Sequence, residues 1–256
     1  MHINIAEGVF IRHNQLDEQR DSIWLIHGFA DSGLVYQESF QSKLAEHFNL
    51  FVPDMPGFGV SPLGTDHKDI KRQAALLADI IKKSTKENRN INLVAHSIGG
   101  LIGTWICQQL EDRINHYVNV EGNLTEADSY FSNKPLKYAN GQEFLEAFEQ
   151  EIFKKAQAEE RYRRYYASLR FAQIEGMVAW AESSQEHIKN NRCGHEFIQL
   201  KCPKTYLWGD LDTPLDTQTF IREHKLPHKR YPGIGHWHMV ENPTRFYDDI
   251  LHLCKA

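Results

Sequence analysis

Leu93-Val94-Ala95-His96-Ser97-Ile98-Gly99-Gly100 places a hydroxyl between an apolar strand and a helix. Ile91, Leu93 and Val94 read as a short buried strand, and Ile98, Leu101, Ile102, Trp105 and Leu110 recur at helical spacing immediately afterwards. Ser97 therefore falls on the turn. So sharp a turn crowds the residues two before and two after its apex, and Ala95 and Gly99 are small enough to fit there. It would hold the Ser97 hydroxyl clear of the backbone, with the Ile98 amide and the helix start facing a developing negative charge. The competing reading is an ordinary strand-turn-helix with a chance serine.

On the upstream side, Ser22-Ile23-Trp24-Leu25-Ile26 is a continuous apolar strand of the kind buried on both faces of a parallel sheet, and it ends in His27-Gly28-Phe29-Ala30-Asp31-Ser32. Before it, His2 to Ala6 and Val9 to Arg12 alternate and suit a hairpin at a sheet edge. After it, Phe40, Leu44, Ala45 and Phe48 predict a helix over Gln37 to Phe48, and Leu50-Phe51-Val52 predicts the next strand. The prolines and glycines of Pro53 to Pro62 force a long turn. A helix from about His67 to Lys83 then leads into the Ser97 strand.

Downstream, His116 to Val120 reads as a further strand ending at Glu121-Gly122-Asn123-Leu124. The alternation then stops, and residues 125–200 carry helical patterns without a convincing strand. It resumes at Thr205 to Trp208, followed by Gly209-Asp210-Leu211-Asp212, a helix from about Asp216 to Glu223, and a last strand near Lys229 to Tyr231. Gly233 to His238 and a helix starting near Pro243 close the chain. Strands alternating with helices imply a mostly parallel, doubly wound α/β sheet. The expected division is a core of residues 1–124 and 201–256, with 125–200 as an inserted helical cap or lid.

Composition narrows the class. A chain of 256 residues with 41% hydrophobic and 25% charged residues can bury a sizeable core and is ordinary for a globular protein. Its formal net charge of −5 argues against general nucleic-acid binding. The first residues lack the basic region and apolar run of a secretory signal, and no later run approaches the roughly 18 apolar residues a membrane span needs. Cys107, Cys193, Cys202 and Cys254 form no CxxC pair and read as reduced thiols of a cytoplasmic protein.

Four motifs taken together resemble the α/β-hydrolase family from about Ser22 to the C-terminus: His27-Gly28-Phe29, Asp54 to Ser61, Ala95 to Gly100, and Gly209 to Asp212 with Gly235-His236. They stand in the family order of Ser, acid, His. The departure from its GxSxG elbow is one methyl group, at Ala95. The resemblance implies Ser97 as nucleophile, His236 as the base that takes its proton, and Asp212 as the carboxylate that orients the imidazole. Asp210 and Glu121 compete for the acid; Asp210 suits a turn-capping role, and some branches of the family place the acid at the position of Glu121. Backbone N–H groups of Phe29 and Ile98 would form the oxyanion hole. His27, His96 and Trp237 are candidate pocket residues, with His27 better suited to ordering its loop.

What the resemblance implies is a hydrolase of small or medium carboxylic esters, without metal or other cofactor, acting through an acyl-enzyme. His236 and His238 lack a compact third metal ligand. Ser at 97 excludes the branches that attack with Asp, but not thioesterases, amidases or carbon–carbon hydrolases. A ligand-binding protein that keeps the fold without the chemistry is the non-enzymatic alternative. Between Lys154 and Arg170 the expected cap carries a net charge of +4. That run reads either as a solvated helix face or as a docking surface for an acidic acyl-carrier protein.

Overall fold

The computed structural model describes residues 1–255. Eight strands form one sheet: β1 (His2–Ala6), β2 (Val9–His13), β3 (Ser22–Ile26), β4 (Asn49–Pro53), β5 (Ile91–His96), β6 (Ile114–Val120), β7 (Lys204–Gly209) and β8 (His228–Tyr231). Their order across the sheet is β1-β2-β4-β3-β5-β6-β7-β8. The β1–β2 hairpin joins β4 antiparallel at one edge, and the other pairings are parallel. Because β4 lies on one side of β3 and β5 on the other, the sheet changes its winding direction between β3 and β5. The carboxyl ends of those two strands flank the crevice where open α/β sheets bind ligands. Ile26 of β3 pairs with Ala95 of β5, which sets the His27 loop beside the Ser97 turn.

Helices cover both faces: α1 (Leu44–His47), α2 (Ile70–Ser84) and α3 (Gly99–Gln109) before β6, and α8 (Leu215–Glu223), α9 (His238–Glu241) and α10 (Pro243–Lys255) after β7. α2 shows why these residues make a helix. Ile70, Ala74, Leu77, Ile80 and Ile81 share its buried face, and the Asp69 carboxylate caps it by accepting the Arg72 N–H at 2.9 Å. Losing such a cap costs about 1 kcal/mol.

The helix expected over Gln37 to Phe48 is instead a 3₁₀ helix, Gly33–Gln41, followed by the single turn of α1. Ser42 breaks it. Its backbone is extended, and its hydroxyl donates to the Ser39 carbonyl at 2.8 Å, a local bond that competes with the helical one.

Between β6 and β7 the described chain holds helices and no strand. Short 3₁₀ segments at Glu126–Ser129 and Lys134–Lys137 precede α4 (Gly141–Ala156), α5 (Glu160–Leu169), α6 (Ile174–Ile188) and α7 (Arg192–Gln199). The buried faces of α4, α5 and α6 carry Phe144, Phe148, Tyr165 and Trp180, which lie over the carboxyl ends of the strands. Phe29 of the core meets Phe144 and Phe148 there at centroid separations of 6.4 and 6.3 Å. No helix among the described residues is long and apolar enough to cross a membrane.

Candidate active site at the carboxyl ends of β3, β5 and β6

Ser97 sits at φ 55°, in the left-handed region that a residue with a β-carbon avoids at a cost of roughly 1–2 kcal/mol. The rest of the fold holds it there. Its N–H donates to Val120 O at 2.9 Å and its carbonyl accepts from Gly100 N–H at 2.7 Å. From Ile91 to Gly100 every residue is buried except Ser97, which is partly exposed. A β-carbon on Gly99 would stand 2.4 Å from the His27 carbonyl oxygen, so glycine is required where the turn meets the neighbouring loop. A β-carbon on Gly28 would stand 2.7 Å from the Ser97 β-carbon. The His27-Gly28-Phe29 loop thus lies directly against the serine. Neither the Phe29 nor the Ile98 N–H has a hydrogen-bond acceptor among the described residues.

That loop is braced from below. Asp54, fully buried at the end of β4, accepts from Arg12 Nη1 at 2.6 Å and Nη2 at 3.2 Å, from Gly33 N–H at 2.7 Å and from Val60 N–H at 2.9 Å. Removing one partner of such a buried pair costs about 3–5 kcal/mol. The Asp54 to Ser61 motif therefore serves geometry. His27 serves it too: Nδ1–H donates to Gly28 O at 2.8 Å, leaving Nε2 to accept the Met55 N–H at 2.9 Å. Burial pushes the His27 imidazole down to about 4, so it is neutral.

His236 lies in the loop between β8 and α9. His96 Nε2–H donates to the His236 carbonyl at 2.9 Å, and burial holds the His96 imidazole well below its usual range. His27 and His96 are both buried, and neither lines the cavity beside His236. Trp237 does line it.

Around the His236 ring the geometry departs from the expectation. Its Nδ1 is 3.0 Å from Tyr130 Oη and 3.8 Å from Glu121 Oε2. Asp212 makes no ion pair with the ring among the described residues. Its Oδ2 accepts the His236 backbone N–H at 2.9 Å and Arg161 Nη1 at 2.6 Å. Asp210, the third carboxylate, accepts from Arg230 at 2.7 Å and from Gly233 N–H at 2.7 Å, which holds its carboxyl below the usual value.

Glu121 is the buried hub. It follows β6 at φ 51°, and its carboxylate accepts the Gly209 N–H, lies 2.8 and 2.9 Å from Thr213 Oγ1, and meets His238 Nε2 at 3.3 Å. Burial pushes the Glu121 carboxyl up, but the His236 and His238 imidazoles outweigh it and hold the group below its ordinary value. Tyr130 is kept a neutral phenol by burial and by the nearby carboxylates.

A cavity of about 320 Å³ opens beside His236. Tyr130, Phe131, Tyr162 and Trp237 wall it together with the charged side chains of Lys134, Glu151 and Lys155. Its volume lies at the low end for small-molecule sites. Among the described residues no cluster of three or more His, Cys, Asp or Glu could hold a metal ion.

The basic run is mostly neutralised by the protein itself. Arg161 meets Asp212, Arg163 meets Glu160 at 2.7 Å, Arg164 meets Glu38 at 2.8 Å, Lys155 meets Glu151 at 3.1 Å and Arg170 meets Glu149. Tyr130 and Glu241 are site residues that the sequence did not single out, since neither belongs to a recognisable local motif.

A sequence profile of the alpha/beta hydrolase fold matches residues 21–243. The chain belongs to the α/β-hydrolase family. It is 31% identical over 107 residues to the pimeloyl-[acyl-carrier protein] methyl ester esterase of Vibrio cholerae serotype O1, a match covering 41% of this chain and 38% of that protein. The enzyme of the same name from Proteus mirabilis is 22% identical, with 94% of this chain and 95% of that protein covered. The crystal structure of an esterase from Rhodococcus sp. ECU1013 superimposes with a TM-score of 0.76 at 17% identity, covering 100% of this chain and 99% of that one. That likeness concerns the fold.

Proposed function

We propose that the protein is a serine hydrolase that cleaves a small or medium carboxylic ester through an acyl-enzyme intermediate. Ser97 Oγ attacks the carbonyl carbon while its proton passes to His236 Nε2. The tetrahedral oxyanion is met by the Phe29 and Ile98 N–H groups. Collapse of that intermediate breaks the ester bond, and the leaving alkoxide takes the proton from His236. Water, deprotonated by the same imidazole, then releases the acid and regenerates Ser97. The helical segment between β6 and β7 acts as the cap that walls the substrate cavity.

For Nε2 to accept the serine proton, Nδ1 must carry the hydrogen. Tyr130 Oη and Glu121 Oε2 are the two acceptors facing Nδ1, so we assign Glu121 as the orienting acid, in the role expected of Asp212. Asp212 then holds the backbone of the base rather than its ring.

The observation that carries this reading is Ser97 itself: a left-handed serine, partly exposed in a buried run, with Gly28 against its β-carbon. A serine-reactive fluorophosphonate probe tests it. Labelling of the parent and none of Ser97→Ala is the expected result, and an unlabelled parent overturns the reading.

A carrier-bound ester is a second reading, favoured by the likeness to the pimeloyl-[acyl-carrier protein] methyl ester esterases of Vibrio and Proteus. Arg163 and Arg170 are the most exposed arginines of the run, their side chains being 52% and 53% exposed even though each pairs with a glutamate of the protein. Arg163→Glu with Arg170→Glu is expected to lower kcat/KM about tenfold for an ester on an acyl-carrier protein at low salt, leaving a small neutral ester nearly unchanged. Equal rates on the carrier-bound ester return the run to a solvated face.

A further inference from the structure

We infer that Arg161, on the cap helix α5, is a positioning residue for the catalytic histidine, acting through the two carboxylates that grip the backbone around it. The inference rests on the reading of His236 as the base. Three successive amides of that loop are held by carboxylate oxygens: Gly235 N–H by Glu241 Oε2 at 2.9 Å, His236 N–H by Asp212 Oδ2 at 2.9 Å, and Trp237 N–H by Glu241 Oε1 at 3.1 Å. Arg161 Nη1 reaches two of those same oxygens, Asp212 Oδ2 at 2.6 Å and Glu241 Oε1 at 3.5 Å. One guanidinium from the cap thus closes a clamp whose jaws come from the loop after β7 and from α9.

The clamp needs the cation. Two carboxylates converging on adjacent amides repel each other, and Arg161, Asp212 and Glu241 have side chains only 13%, 25% and 16% exposed, so water screens that repulsion poorly. Arg161 is itself anchored, its Nε donating to Glu159 at 2.8 Å. The loop is shaped to admit it. A β-carbon on Gly235 would stand 1.7 Å from Arg161 Nη1 and 2.3 Å from Asp212 Oδ2, so only glycine leaves room for the guanidinium. Tyr162 and Tyr165 of the same helix pack on Trp237 at centroid separations of 5.4 and 5.0 Å.

The consequence is mechanical: the base is in place when the cap is in place. If the cap lifts, the cation leaves, the two carboxylates separate, and the segment carrying His236 loses the fixed amides that aim its ring at Ser97. A misplacement of about 1 Å at a reacting group costs on the order of 10²-fold in rate.

Steady-state kinetics on a neutral p-nitrophenyl ester test this, together with the rate of fluorophosphonate labelling and a thermal melt. Arg161→Met is expected to lower kcat by about 10- to 100-fold and slow labelling in proportion, with KM changed less than about threefold. Arg161→Lys should recover part of kcat, since an ammonium can still bridge the carboxylates. A folded Arg161→Met with parental kcat, or with only KM altered, overturns the inference. Should that variant fail to fold, Arg161→Gln decides instead: it removes the cation but keeps a polar side chain beside Asp212 and Glu241, and parental kcat in it is equally fatal. A parent that neither labels nor hydrolyses refutes the serine-hydrolase reading, which separates the two failures.

Discussion

Replacing Glu121 by glutamine is expected to lower kcat by about three to four orders of magnitude, and replacing Asp212 by asparagine by about one. The difference follows from what each carboxylate touches. Glu121 Oε2 faces His236 Nδ1 at 3.8 Å from a buried site fixed by the Gly209 amide and the Thr213 hydroxyl. A glutamine amide there offers an N–H to the ring in place of an acceptor, favouring the tautomer with hydrogen on Nε2, which cannot take the Ser97 proton. It also removes the charge that stabilises the imidazolium. Asp212→Asn keeps an oxygen for the His236 backbone N–H and loses mainly its attraction to Arg161. Single-turnover and steady-state rates on one ester check both variants. A large loss in Asp212→Asn with a small one in Glu121→Gln would reverse the assignment.

The sequence reading favoured Asp212 and kept Glu121 and Asp210 as competitors, and what separates them is not local, for a reason visible in the sheet. β6 and β7 are parallel neighbours, so the residues just past their carboxyl ends reach the same crevice. Which one meets the imidazole depends on the direction of each side chain. Asp212 is drawn off by Arg161, 51 residues away in the chain, and no periodicity encodes that. The Ser97 turn was different, because its demands are local: an apolar strand, small residues on either side of the apex and a helix directly after it. The basic run depends on distant partners in the same way. Arg164 finds Glu38 across 126 residues, so a charge counted along the sequence overstates what solvent or a partner meets. The helix expected over Gln37 to Phe48 failed on a smaller scale, where one serine hydroxyl outcompeted the backbone pattern.

The His27-Gly28-Phe29 loop, proposed to supply an oxyanion donor, carries the second large effect. Gly28→Ala is expected to reduce kcat by about 10²- to 10³-fold, the loss seen when an oxyanion donor is removed. The added methyl group would lie 2.7 Å from the Ser97 β-carbon, 3.1 Å from His96 Nδ1 and 3.2 Å from the His96 carbonyl oxygen. None of these can give way cheaply. Ser97 is pinned by its bonds to Val120 and Gly100, and His96 is buried in β5 with its Nε2–H on the His236 carbonyl. The His27-Gly28-Phe29 segment must therefore retreat, carrying the Phe29 N–H away from the position proposed for the oxyanion. Stability should suffer less than catalysis, by about 1–3 kcal/mol, as for other overpacked sites. Because the oxyanion exists only in the transition state, KM should change far less than kcat. A folded Gly28→Ala protein that keeps its kcat while melting at a lower temperature would show that the loop packs against Ser97 without assisting its chemistry.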